Sequence, residues 1–143
     1  LKKLILILSC VIIFGCSKND PIYNCNYLID VGVNLTVNLN LPQYNQLLFP
    51  VNAIRVEGYG NKGIILVRTN ANSILAWDGG DPNHPTSACS TLTINGFNAT
   101  CGCDDGNEYS LITGTALNEN PQPCTLKPYR VEDLGNNVYL VTN

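Results

Sequence analysis

Between Asp81 and Asp105 the chain gathers Asp81, Asn83, His84, Cys89, Cys101, Cys103, Asp104 and Asp105. Thiolates and imidazoles are the donors that soft metal centres use, so His84, Cys89, Cys101 and Cys103 could together hold iron. Carboxylates suit hard cations, and Asp104 with Asp105 could flank calcium; adjacent acidic residues in a turn more often face solvent or cap backbone N–H groups. A thiol sensor at Cys101 and Cys103 would need a lowered thiol pKa. His84 is the sole histidine and has no neighbouring Ser or Cys motif, which leaves a nucleophilic triad without support. No glycine-rich phosphate loop leads into a helix.

The landmarks around these residues are D-P-N-H at 81–84, C-S-T-L at 89–92, C-G-C-D-D at 101–105, E-Y-S-L-I-T-G at 108–114 and L-K-P-Y-R at 126–130. In order and spacing they resemble a Rieske domain. In that family C-x-H and C-x-x-H loops hold a 2Fe–2S cluster, an aromatic residue precedes a T-G turn, and an L-K-x-Y segment opens the last hairpin. The resemblance implies two thiolates on one iron and two imidazoles on the other. Its ligand positions fall on Asp81, Asn83, Cys101 and Asp104, so three of the four are substituted and only Cys101 keeps a family ligand. One thiolate with carboxylates is a poor iron–sulfur site, and the cofactor is expected to be lost. A rearranged set of His84, Cys89, Cys101 and Cys103 is the competing expectation.

Respiratory members of the family carry a disulfide between the two cluster loops, and Cys103 stands at one of its positions. The resemblance therefore implies Cys89–Cys103, and it implies Cys25–Cys124 because the first and last strands of the family's base are neighbours. Cys101 would remain a free thiol. Cys89–Cys101 with Cys103 free is the alternative pairing that sequence leaves open, since connectivity does not follow from it. Cys101 and Cys103 are separated by one residue, too few for an unstrained bridge.

The elements that must position these residues read as strands. Val31, Val33, Leu35, Val37 and Leu39 alternate with Gly32, Asn34, Thr36 and Asn38 within a strand predicted over 28–39. A connection over 43–50 follows, then short strands at 53–57, 63–68 and 73–77 between Gly/Asn-rich turns. Residues 91–94 and 97–101 are expected to form a hairpin around Asn95-Gly96, a pair that favours a type I′ turn. Residues 109–112 make another strand, and 129–132 with 138–142 a last hairpin around Gly135-Asn136. Trp77 and Tyr109 lie at strand positions and are expected in the core. No helical period occurs after the first residues. The fold class is all-β, a Rieske-like antiparallel sandwich or small barrel over 27–143, with residues 81–114 as an inserted two-loop subdomain.

Lys2 and Lys3 precede an apolar run from Leu4 to Phe14, and Gly15-Cys16 follows. Residues 1–15 read as a signal peptide, since eleven apolar residues are too few for a spanning helix of about 20. Cys16 fits a lipobox better than Cys10, so it is the expected lipidation site, with 16–26 as tether. Ser17-Lys18-Asn19-Asp20 resembles the opening of Bacteroidetes lipoproteins, which implies an outer-membrane or cell-surface location. Without residues 1–15, six basic residues face eleven acidic ones, a net charge of −5. That balance disfavours nucleic acid. The expected partners are a membrane, reached through the lipid anchor, and a protein the sequence does not identify. The expected role is a non-enzymatic structural or binding module, with a ferredoxin-like electron carrier as the alternative.

Overall fold

The computed structural model describes residues 24–70, 73–118 and 122–143; the expected signal peptide and Cys16 lie outside them. Among the described residues nine strands follow in order: β1 (Asn34–Asn38), β2 (Ala53–Val56), β3 (Ile64–Asn70), β4 (Ser73–Asp78), β5 (Leu92–Asn95), β6 (Asn98–Cys101), β7 (Glu108–Ser110), β8 (Pro128–Gly135) and β9 (Val138–Thr142). Six form an antiparallel base ordered β1-β9-β8-β4-β3-β2, and β5-β6-β7 form a separate antiparallel sheet. The smaller sheet is inserted between β4 and β8, which pair through Ala76 with Tyr129 and Trp77 with Pro128. This is the all-β architecture expected of a Rieske-like domain, base and inserted subdomain included.

β3 explains how one chain supports two cores. Side chains on a strand alternate between faces. Ile64 and Leu66 enter the base core with Leu35, Val37, Leu39, Ala76 and Val141. Ile65 and Val67 enter a second core with Leu92, Ala99, Tyr109, Leu111 and Leu126. All four are fully buried, as expected of an uninterrupted Ile-Ile-Leu-Val run packed on both faces. Arg55 on β2 ties the sheets together, donating to the carbonyls of Lys62 and of Leu92 on β5.

Several boundaries differ from expectation. The strand predicted over 28–39 is paired only from Asn34, whose partner Thr142 is the last residue of β9. Before it, Val33 N–H finds the Asn143 side chain. Leu28 and Val33 are buried without belonging to a strand. The 43–50 connection contains one 3-10 turn, Asn45–Leu48, which buries Leu47. The 91–101 hairpin turns one residue later than predicted: Asn95 pairs with Asn98, leaving Gly96 and Phe97 as the loop. Gly96 has φ +61° and Phe97 is not left-handed, which is the type II′ pattern with glycine at the first central position.

The Thr113-Gly114 turn closes β7 against the base. Gly114 has φ +74°, and a Cβ there would lie 2.8 Å from the Trp77 ring. Trp77 Nε1 donates to Leu111 O at 2.8 Å, so the indole both fills the core and holds the turn.

Candidate functional site

Two loops of the inserted subdomain meet around Asp81. The first leaves β4 and passes through Asp81, Asn83, His84, Ser87 and Cys89; the second follows β6 through Cys103 and Asp105 to Asn107. The Asp81 N–H donates to Ser90 O at 2.9 Å, and a bridge between Gly80 and Thr91 holds the two ends of the first loop.

Asp81 is fully buried. Its Oδ1 accepts the Tyr109 hydroxyl in a short hydrogen bond and the Asn83 N–H at 2.8 Å. Its Oδ2 accepts Asn107 Nδ2 at 2.8 Å. Asn83 is equally committed. Its Nδ2 donates to the Tyr109 hydroxyl and to Cys124 O, each at 2.7 Å, and its Oδ1 accepts Cys124 N–H at 2.9 Å. The Asn107 amide also reaches Asp105 Oδ2 at 3.3 Å. Burial pushes the Tyr109 phenol above its ordinary range, and the Asp81 carboxylate adds to the shift.

The cysteines pair as the resemblance implies. Cys25–Cys124 joins the start of the described chain to the approach of β8, and Cys89–Cys103 staples the two loops. Among the described residues, Cys101 is the free cysteine, buried at the end of β6. Its thiol is pushed up to about 12, first by burial and then by Asp81 and Asp105, while the Cys103 N–H opposes the rise. A thiol so reluctant to ionise, beside a Cys103 already in a disulfide, corrects the expectation of a sensor at Cys101 and Cys103.

Donor atoms come close in two groups among the described residues, Asp81 with Cys101 and Asp105, and His84 with Cys89 and Cys103. Asp104 belongs to neither and is exposed. Of the four ligand positions that the resemblance implies, Asp81 and Asn83 are engaged in hydrogen bonds within the protein, Cys101 is a buried thiol and Asp104 is exposed. The rearranged set would need the Cys89–Cys103 bond opened. Asp105 Oδ2 lies 3.3 Å from Asn107 Nδ2 and 3.7 Å from His84 Nε2.

Asp78, the last residue of β4, carries a parallel arrangement that the sequence did not announce. Its Oδ2 accepts Tyr129 OH at 2.7 Å, Asn61 N–H at 2.8 Å and Asn61 Nδ2 at 2.9 Å, and its Oδ1 accepts Gly80 N–H at 2.9 Å. Asn107 and Asn61 were also missed, and no local signal marks an asparagine that serves a distant buried carboxylate. An Asp among apolar strand residues is the one hint the sequence offers.

Among solved structures, the chain is similar to a protein described as an NADH-dependent nitrite reductase small subunit from Mycobacterium tuberculosis, with 19% identity over 80% of this chain and 97% of that one and a TM-score of 0.46. It is similar to a protein described as a nitrite reductase NADPH small subunit, with 19% identity over 76% and 97% of the two chains and a TM-score of 0.42. It is also similar to the E. coli protein NirD, with 13% identity over 67% and 87% and a TM-score of 0.41. No family model and no curated protein matches the chain.

Proposed function

We propose that this protein is a Rieske-like domain that has exchanged its iron–sulfur cluster for a hydrogen-bonded, disulfide-closed interior. It serves as a structural or binding module rather than an enzyme. A lipid on Cys16 holds it on the outer membrane or cell surface, where its partner is another protein. The observation that carries the reading is Asp81, at the family's first ligand position, buried with both carboxylate oxygens given to Tyr109, Asn83 and Asn107. A carboxylate so occupied has no reason to turn to a metal, and releasing it would strand three donors. The acidic balance supports a protein partner over nucleic acid.

The test is to isolate the full chain anaerobically in detergent and to measure iron, acid-labile sulfide, free thiols and mass. The expected protein is colourless, exposes one thiol on unfolding, and carries the mass of acyl chains on Cys16. About two irons and two sulfides per chain, with visible absorption, would instead establish an electron carrier. An unacylated chain that stays in the aqueous phase would remove the anchor from the reading and leave the interior untouched.

A further inference from the structure

The surroundings of the Cys89–Cys103 bond are unlike those of an inert staple. Cys89 is exposed, and Cys103 is half-buried beside His84. His84 Nδ1 lies 2.7 Å from Pro85 O and 3.7 Å from Cys103 Sγ. A carbonyl oxygen can only accept, so Nδ1 carries the hydrogen, and it carries it next to the Cys103 sulfur. On the other side of the ring, Nε2 faces the Asp105 carboxylate at 3.7 Å, so the ring is held between Pro85 O and Asp105. Ser87 Oγ lies 3.2 Å from Cys89 Sγ and 3.9 Å from Cys103 Sγ. Bonded sulfurs have no hydrogen to give, so the hydroxyl is the donor there.

The same geometry decides between two uses of this cluster. A metal held by His84, Cys89 and Cys103 would need a lone pair on the imidazole nitrogen that faces the sulfurs. That nitrogen is protonated. What the arrangement offers is a proton donor and a hydroxyl beside a solvent-reachable S–S bond, the groups that would ease departure of a thiolate.

We propose that Cys89–Cys103 is a thiol–disulfide exchange site for an external dithiol, with His84 the proton donor to the leaving sulfur of Cys103. The first thiolate of the dithiol attacks Cys89 Sγ, forming a mixed disulfide and breaking the bond to Cys103. Cys103 leaves as a thiolate and takes the proton from His84 Nδ1 while Nε2 takes one from solvent, so the imidazole stays neutral throughout. The second thiolate of the dithiol then attacks its own sulfur in the mixed disulfide. Cys89 leaves and is protonated by water. The dithiol becomes a disulfide, and Cys89 and Cys103 become two thiols, a balanced two-electron transfer that frees one loop from the other. The proposal rests on the cluster-free reading only in requiring that both sulfurs be free of iron.

The probe is dithiothreitol, added to the full chain in detergent near neutral pH. Timed alkylation and mass mapping follow both disulfides, and circular dichroism reports the fold. Cys25–Cys124 in the same tube is the internal standard. Cys89–Cys103 is expected to open at least about ten-fold faster than Cys25–Cys124, and His84→Ala to remove most of that advantage without changing the Cys25–Cys124 rate. Equal rates for the two disulfides, or an unchanged rate in His84→Ala, would overturn the proposal. If His84→Ala fails to fold, Asp105→Asn takes its place, and it must slow the same bond alone. Iron and sulfide measured on the same sample keep the two readings apart. Iron defeats the cluster-free interior, whereas slow exchange in an iron-free protein defeats only the exchange site.

Discussion

The Tyr109 hydroxyl donates to the Asp81 carboxylate across two loops, and Asn83 Nδ2 donates to the same hydroxyl at 2.7 Å. One phenol therefore completes a chain of hydrogen bonds running from the Cys124 backbone through Asn83 to Asp81. Asn107 extends it to Asp105. Both loops and the approach to β8 depend on it, so the site reads as a polar keystone set inside the second core.

Tyr109→Phe should expose the worth of that keystone. The ring still fills its place, but the fully buried Asp81 loses a donor and the half-buried Asn83 loses an acceptor. A cost of about 1.5–3 kcal/mol is expected in urea unfolding, the range for a buried hydrogen bond to a charged group. A change within about 0.5 kcal/mol, the scatter of neutral surface substitutions, would mean that the network contributes little to folding.

The two disulfides should differ in weight. Cys25–Cys124 closes a sequence separation of 99 and Cys89–Cys103 one of 14. In the chain-entropy account the longer closure removes more freedom from the unfolded state, about 4–5 kcal/mol against about 3. Paired Cys→Ser replacements measured by urea unfolding should therefore lower the midpoint more for 25/124 than for 89/103. The reverse order would show that native-state contacts of the loops outweigh chain entropy here.

Alkaline stability follows from Cys101. Its folded-state thiol is raised from an ordinary 9.0 to about 12, so the protonated form is the one the fold favours. Its contribution is complete below about pH 9 and is lost as pH climbs through about 12. Burial raises Tyr109 and Tyr129 in the same direction, from an ordinary 10.0. Unfolding free energy is expected to fall from about pH 9 upward, and Cys101→Ala should shallow the first part of that fall. At pH 8 the native Cys101 should resist iodoacetamide and react once urea is added. Rapid native labelling would contradict its burial.

The base of the fold was legible because its signal is local. Alternation over 31–39 and the unbroken Ile64–Val67 run each state which faces are covered, and β1 and β3 follow. Turn position was less legible: Asn95-Gly96 marks the hairpin, yet the glycine supplies the left-handed φ at the first central place, and the loop shifts by one residue. Asp81 and Asn83 stood out as substitutions in a ligand pattern. Their partners did not, because Tyr109 lies 28 residues from Asp81 and Asn107 lies 26, separations at which only the folded chain decides who meets whom. Tyr109 was expected as core, and it is core; its hydroxyl role depends on a loop that arrives from another sheet.

Gly114 offers the last test, since it couples the T-G turn to Trp77. Its φ of +74° is one that residues with a Cβ rarely adopt, and the Cβ itself would stand 2.8 Å from the indole. Neither neighbour yields easily. The Trp77 ring is fixed by its bond to Leu111 O, and the turn is fixed by Gly114 N–H on Ser110 O at 2.8 Å and by Leu126 N–H on Gly114 O at 2.8 Å. Gly114→Ala should therefore carry both the left-handed backbone cost and an overpacking cost, each of about 1 kcal/mol or more. Because Trp77 is the only tryptophan, its fluorescence reports the site directly. A shifted emission maximum with a lowered urea midpoint is expected. Trp77→Phe in the Gly114→Ala background should recover part of the loss, because the smaller ring makes room for the methyl group. If that double variant is no more stable than Gly114→Ala alone, the strain lies in the turn backbone and not against the indole.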